Sequence, residues 1–246
     1  MALFSDGCAS DVADLRAYDA AIAEVAAAEG VALQAKLELA MQEIGVELEE
    51  FLLRTTGGQA ELSQVVVTPP LKQWHTLKTL ALIYGDIHNS HVSRRFEGKW
   101  ADYKMRARWA AESLFRIGVG LVSKPIPKAA APQVRTVSGR LEPGTYLIKV
   151  AWVNERGESG APSEAAVWTL AAEGGLGVRA VHPPPAAAGF HVYAGVSEKE
   201  LWQQTAAPQG PGTEWVSSGP LGRGAPPTAG QEPERYVRNE RILRRG

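Results

Sequence analysis

The chain has 246 residues, 45% of them hydrophobic, enough for one large core or two small ones, and its formal net charge of -1 argues against a general polyanion binder. The single cysteine, Cys8, excludes an intrachain disulfide and has no metal-binding spacing with any neighbour. No apolar run approaches the roughly 18 residues that span a bilayer, and MALFSDG lacks a basic stretch ahead of an apolar one, so the expectation is a protein kept in the cytoplasm unless it leaves inside a larger particle, with no membrane partner.

In chain order, Ser10 or Asp11 is placed to cap a first helix whose apolar face is Val12, Leu15, Tyr18, Ile22 and Val25, ended by Gly30. A second helix is expected from Val31 to Arg54, with Leu33, Leu37, Ala40, Ile44, Leu48 and Phe51 at helical spacing and Gly57-Gly58 as its stop. Its other side carries Glu38, Glu43, Glu47, Glu49 and Glu50. Val65-Val66-Val67 reads as a short extended piece, and Pro69-Pro70 opens a third helix bearing Leu71, Trp74, Leu77, Leu80, Ala81, Tyr84 and Ile87, apolar on most sides and so central to a bundle. A fourth helix spans Ser93 to Gly118, its seam formed by Phe96, Trp100, Tyr103, Ala107, Ala110, Leu114 and Ile117. Beside that seam runs a basic stripe of Arg94, Arg95, Lys99, Lys104, Arg106 and Arg108, against which stand only Glu97 and Asp102.

Charge is therefore segregated. Residues 1–61 hold three bases against twelve acids, a net of −9, whereas residues 62–128 hold eleven bases against four acids, a net of +7. The two stretches either satisfy each other within one subunit or bring neighbouring copies together, acidic face to basic face.

Residues 125–131 are too rich in proline for helix and read as a semi-rigid linker. Beyond them the period changes to two. Tyr146, Ile148, Val150 and Trp152 alternate with Leu147, Lys149, Ala151 and Val153 in a strand between Pro143-Gly144 and a turn at residues 154–160. Further strands are expected at 165–170, 177–181, 190–194, 201–205 and 214–217, a spacing that suggests a β-sandwich. Gly and Pro dominate residues 208–233, which are expected to be extended and poorly self-supporting. The end of the chain regains Tyr236, Val237, Ile242 and Leu243 among Arg235, Arg238, Arg241, Arg244 and Arg245, a mixture suited to docking on a partner.

The cluster that most invites a catalytic or metal role is Asp86, His88 and His91, since His88 and His91 lie three apart. No glutamate stands between them as a general base, and Asn89-Ser90 reads as a break between helices, so the expectation is no metal site. Nucleophile elbow, Walker loop and dinucleotide-binding glycine pattern are all absent, so neither an enzyme nor a cofactor is expected. The basic stripe lacks the turn and second helix of a helix-turn-helix reader of DNA.

Two resemblances extend this reading. TYLIKVAWVNERGESGAPSE followed by GFHVYAG resembles fibronectin type III and related immunoglobulin-like domains over about residues 132–225. KLELAMQEIGVELEEFL, TPPLKQWHTLKTLALIYGD and RRFEGKWADYKMRARWA, across residues 31–118, resemble the head–tail connector (adaptor) proteins of tailed bacteriophages. That second resemblance implies a homo-oligomeric ring in the virion neck, usually of twelve copies, seated under the portal protein and above a stopper or tail-completion protein, with DNA passing through it without sequence recognition. It also implies a C-terminal arm that grips the portal, here Tyr236, Val237, Arg238, Arg241, Ile242, Leu243 and Arg244. A lumen through which DNA slides is expected to be acidic, which nominates Glu38, Glu43, Glu47 and Glu50, and leaves Arg94, Arg95, Lys99, Lys104 and Arg106 for a subunit interface. The alternative is a surface-binding fibronectin type III module protein, an adhesin or a tail or neck decoration.

The expected fold class is thus α+β and multidomain: a helical bundle over 1–124, a proline-rich linker over 125–131, a β-sandwich over 132–225 and an extended C-terminal arm over 226–246.

Overall fold

The computed structural model describes residues 1–90, 94–217 and 219–238. Its layout is α+β, with α1 (Val12–Tyr18), α2 (Ile22–Ala28), α3 (Leu33–Thr56), α4 (Pro69–Ser90) and α5 (Glu97–Ile117) in the N-terminal half. Strands follow: β1 (Val119–Leu121), β2 (Gln133–Leu141), β3 (Gly144–Val153), β4 (Ala166–Leu170), β5 (Gly174–Arg179), β6 (Gly189–Gly195), β7 (Trp202–Gln203), β8 (Glu214–Ser217) and β9 (Arg235–Val237). The chain forms two compact units, one of residues 7–123 and 233–246, the other of residues 1–6 and 124–232.

In the helical unit, local chemistry sets the ends of the helices. Asp11 caps α1 in a reciprocal capping box with Asp14, and Gly57, at φ 63°, gives α3 the left-handed stop that a side chain would strain. α4 is the central helix, burying Leu71, Trp74, Leu77, Leu80, Ile83, Tyr84 and Ile87. It also buries His75, whose Nδ1 meets the Ser10 hydroxyl at 2.6 Å and whose Nε2 meets the Leu37 carbonyl at 2.9 Å. The tilted ring pair of Phe51 and Phe115 at 4.7 Å, with Trp74 edge-on to Phe115 at 5.6 Å, ties α3 and α4 to α5.

The expected single first helix is instead two. The chain turns extended at Asp19, whose carboxylate is drawn inward by Tyr84 and Lys99, and helix resumes at Ile22. A tertiary hydrogen-bond network here overrides the alanine-rich propensity of the segment.

A second difference concerns the ends of the β-rich unit. β1 pairs antiparallel with β9, Val119 opposite Val237 and Leu121 opposite Arg235, and the ladder is extended by Glu234, whose carboxylate accepts from the Ser123 amide and hydroxyl. On its other edge β1 meets Val65 and Val66. The β-rich unit is therefore inserted between the two strands of a hairpin that belongs to the helical unit. Gly120 is required in that hairpin, since a Cβ there would lie 2.8 Å from the Pro233 ring.

Within the β-rich unit, β2-β5-β8 and β4-β3-β6-β7 form two antiparallel sheets. One apolar cluster draws on both, taking Ile148, Val150 and Trp152 from β3, Phe190 and Val192 from β6, and Leu176 and Val178 from β5. The expected linker is part of this unit, because Ile126 is fully buried in the same cluster and Ala129 nearly so. The stretch 208–232, expected to be extended, has β8 as its one strand among the described residues and is otherwise tied in at separate points. Gln209 exchanges backbone bonds with Phe190, Ala225 accepts from the Gln203 amide, and Gln231 is 4% exposed. Gln231 is a clasp: its Oε1 accepts from the Ile126 amide at 2.7 Å, and its Nε2 donates to the Lys124 carbonyl at 3.0 Å and to Glu158 at 3.3 Å. Backbone and side-chain hydrogen bonds replace hydrophobicity as the ordering force there, which a composition argument does not register.

Two outcomes follow from the insertion. A chain lacking residues 1–6, with 124–232 replaced by a short Asn-Gly turn joining Ser123 to Pro233, is expected to keep a cooperative helical melt in circular dichroism; a non-cooperative melt contradicts the hairpin account. Gln231→Ala is expected to destabilise the β-rich unit by about 1–3 kcal/mol in urea titrations, because it strands the buried Ile126 amide.

Candidate interaction surface of the helical unit

Eight of the eleven exposed large hydrophobic side chains among the described residues lie on the helical unit: Tyr18, Leu39, Val46, Leu53, Met105, Trp109, Ile117 and Tyr236. On α3 they recur every seven residues, Leu39, Val46 and Leu53, the latter two 66% exposed. At 100° per residue these three form one stripe, opposite the buried Leu37, Ile44, Leu48 and Phe51. Glu38 and Glu49 fall on one flank of the stripe and Glu43, Glu47 and Glu50 on the other. On α5, Met105 at 65% and Trp109 at 55% exposure are neighbours four apart, opposite the buried Tyr103, Ala107, Ala110 and Leu114. Lys104 and Arg108 flank that patch on one side and Arg116 continues it.

Between α3 and α5, over α4, lies a groove of about 420 Å³. Glu43 and Glu47 form one wall and Lys104 and Arg108 the other, with Trp74 and Trp100 among its lining. Lys78 enters from α4, pairs with Glu43 at 3.1 Å and Glu47 at 2.7 Å, and lies over the Trp74 ring. Such partly exposed pairs fix geometry more than they add stability, each contributing under about 1 kcal/mol.

The structure disperses the expected interface cations. Lys99 binds Asp19 at 2.6 Å, Lys104 lies 5.3 Å over the Trp100 ring, Arg106 sits over Tyr18 and Tyr103 and 3.6 Å from Asp102, and Arg95 lies over Phe96. Of the nominated channel acids, Glu43 and Glu47 close on Lys78, Glu38 accepts from Gln34, and Glu50 is exposed. Of the Asp86 cluster, Asp86 pairs with Lys36 and His88 stacks on Trp100. His91, the Arg94 side chain, Arg241, Ile242, Leu243 and Arg244 lie outside the described residues. Tyr236 and Val237 are in β9, followed by the exposed Arg238. No group of three or more metal-ligating side chains occurs among the described residues, and no described helix is long and apolar enough to cross a membrane.

The polar hub at Asp19 escapes a reading of periodicity. Its side chain is 7% exposed and accepts from the Tyr84 hydroxyl at 2.5 Å and from Lys99, which also reaches the Tyr84 oxygen at 3.1 Å. Tyr103 stacks on Tyr84, 5.6 Å between rings. Three elements thus converge on one carboxylate, and they fix how α5 lies on α4.

Burial works to raise the Asp19 pKa, but the Lys99 and Tyr84 hydrogen bonds outweigh it and hold the carboxyl below its usual range. Burial and the neighbouring carboxylate push the Tyr84 hydroxyl well above its ordinary value, so it stays a donor. Burial lowers His75, which stays neutral at pH 7.

Protein-family models, curated proteins and solved structures were each compared with this chain, and none matches.

Both lowered groups place the loss of stability on the acid side. His75 imposes no penalty above the ordinary histidine pKa of about 6.5 and an increasing one as pH falls below it, and Asp19 contributes fully above about 3.9 and loses its contribution as pH falls further. The urea midpoint of the helical unit is therefore expected to decline between pH 7 and 5 and again below pH 4. Asp19→Asn is expected to cost about 1–3 kcal/mol at pH 7 and to abolish the second decline only; a wild-type midpoint flat from pH 7 to 3 contradicts these assignments.

Proposed function

We propose that the chain is a structural protein of the tailed-phage neck: a head–tail connector that forms a ring, of twelve copies by analogy with the proteins it resembles, under the portal and above a stopper or tail-completion protein. DNA passes through the ring without sequence recognition. The β-rich unit is read as a fibronectin type III-like β-sandwich carried by the connector, a reading supported by two antiparallel sheets that share one apolar cluster. As an inserted module it decorates the neck without interrupting the helical scaffold.

The observation that carries the proposal is the return of the C-terminal strand. β9 pairs with β1, so the arginine-rich end of the chain departs from the helical unit rather than from the β-rich one. A connector arm has to leave from the ring body in this way to reach a fixed site on the portal. Ile242 and Leu243 serve as apolar anchors there, and Arg238, Arg241 and Arg244 meet acidic portal residues, with folding on binding offsetting the ordering cost.

For the channel wall, the ion pairs of α3 favour some of its acids over others. Glu43 and Glu47 are committed to Lys78, whereas Glu38 and Glu49 occupy the other flank of the helix and remain exposed. We assign the lumen to that flank, where carboxylates repel phosphate and let DNA slide.

A truncation after Arg238 tests the arm, since it retains β9 and hence the hairpin. It is expected to melt like the full chain and to lose binding to the cognate portal ring in pull-down and mass photometry. Unchanged portal affinity would contradict the arm assignment.

A further inference from the structure

Resting on the reading of the chain as a multi-copy assembly, we infer that the seam between copies is heterologous: the Leu39–Val46–Leu53 stripe of α3 on one copy packs against the Met105–Trp109 patch of α5 on the next. The partner is a second copy of this chain, bound head to tail.

Apolar exposure and charge point the same way. Each face carries its exposed apolar side chains on the side of its helix opposite the core, interleaved on α3 with Glu43 and Glu50, so neither is needed for the fold of its own unit. Large exposed apolar patches on a monomer mark contact surfaces. The flanking charges differ in sign. α3 carries Glu38, Glu43, Glu47, Glu49 and Glu50 against Lys36 and Arg54, a net of −3, and α5 carries Lys99, Lys104, Arg106, Arg108 and Arg116 against Glu97, Asp102 and Glu112, a net of +2. Several of these charges are spent inside the unit, as Lys78 with Glu43 and Glu47 and Lys99 with Asp19 show. Those nearest the strips make no ion pair to another helix of the unit among the described residues. Glu49 and Glu50 border Val46 and Leu53, and Arg108, whose only ion pair among the described residues is to Glu112 one turn along the same helix, borders Trp109.

The opposite signs favour α3 against α5 over pairing either face with its own copy. Two α3 faces meeting each other would bring Glu49 and Glu50 against their own copies, a like-charge penalty, whereas two α5 faces would meet through Arg108 and Arg116 with Glu112 offsetting part of their charge, a weaker one. α3 against α5 places Glu50 beside Arg108 around a dry centre of Val46, Leu53, Met105 and Trp109. Trp109 is the anchor, a large aromatic bordered by arginine, the combination that dominates binding energy at protein interfaces. Head-to-tail use of the two faces repeats from copy to copy and closes into a ring where the rotation between copies allows it, so a wild type that stops at two copies, both contacts exchanged about a two-fold axis, overturns the heterologous seam.

The test uses two full-length chains, Val46→Asp and Trp109→Asp. Both positions are exposed, so each variant is expected to melt as wild type does, which circular dichroism checks first. Each alone is expected to need at least about a tenfold higher concentration than wild type to associate, read by analytical ultracentrifugation. Mixed at equal concentration, they retain one intact α3 and one intact α5 face between them and are expected to form a 1:1 dimer that grows no further. A mixture that stays monomeric overturns the heterologous seam, as does either single variant that assembles like wild type. Wild-type assembly that is lost in both variants, together with failure to bind a portal, leaves the seam standing and removes the connector reading. Assembly of wild type on the portal with both variants unaffected does the reverse.

Discussion

The pairing of β9 with β1 is the constraint on which the rest of the chain depends. Bringing Arg235 back to Leu121 closes a long loop, and the closure cost grows only slowly with loop length, so a domain-sized insertion is tolerated where its two ends already lie together. The ends do lie together. Glu234 clasps Ser123 on the helical side, and Gln231 clasps Lys124 and Ile126 on the β side, so each unit holds both strands of the crossing by its own hydrogen bonds. The chain passes between the units at residues 6/7, 123/124 and 232/233, which makes the N-terminal hexapeptide a third tie. Asp6 anchors it within the β-rich unit by accepting from the Lys128 amide at 2.7 Å.

Inside the helical unit the organising chemistry is polar as well as apolar. Leu, Ile and Phe positions on α3, α4 and α5 supply the burial, at about 1.5–3 kcal/mol for each large side chain taken from water. Burial of that kind does not specify where α1 stops. Asp19, Tyr84 and Lys99 do, and His75 fixes Ser10 and Leu37 in the same way at the other end of the packing surface. With these directional bonds in place, α3 and α5 turn their unburied strips outward, and the unit presents two charged apolar faces where a self-sufficient monomer presents few.

Much of this was legible in the sequence, and the failures have physical causes. The long helices announced themselves through spacing of three and four, with Gly57 and Pro69-Pro70 at their ends, and β3 through strict alternation. β2 was not seen, because Gln133, Arg135, Thr136, Ser138 and Arg140 make a strand with one solvated face look like a polar loop. Proline and glycine content predicts the absence of ladders, which holds over residues 219–232, but not a buried Ile126 or a clasping Gln231. In the surface itself, the basic stripe was visible, yet its members serve different partners within the unit, and the heptad of Leu39, Val46 and Leu53 was in plain view but is informative only once Leu37, Ile44 and Leu48 are known to face the other way.

The central claim is that this chain works as a ring built from its helical unit. Electron microscopy of the purified full-length protein, with two-dimensional averaging of end-on views, tests it most directly. The account predicts closed rings with a central opening wide enough for duplex DNA. Particles that are uniformly the size of a single 26.4 kDa chain at every concentration examined would contradict it.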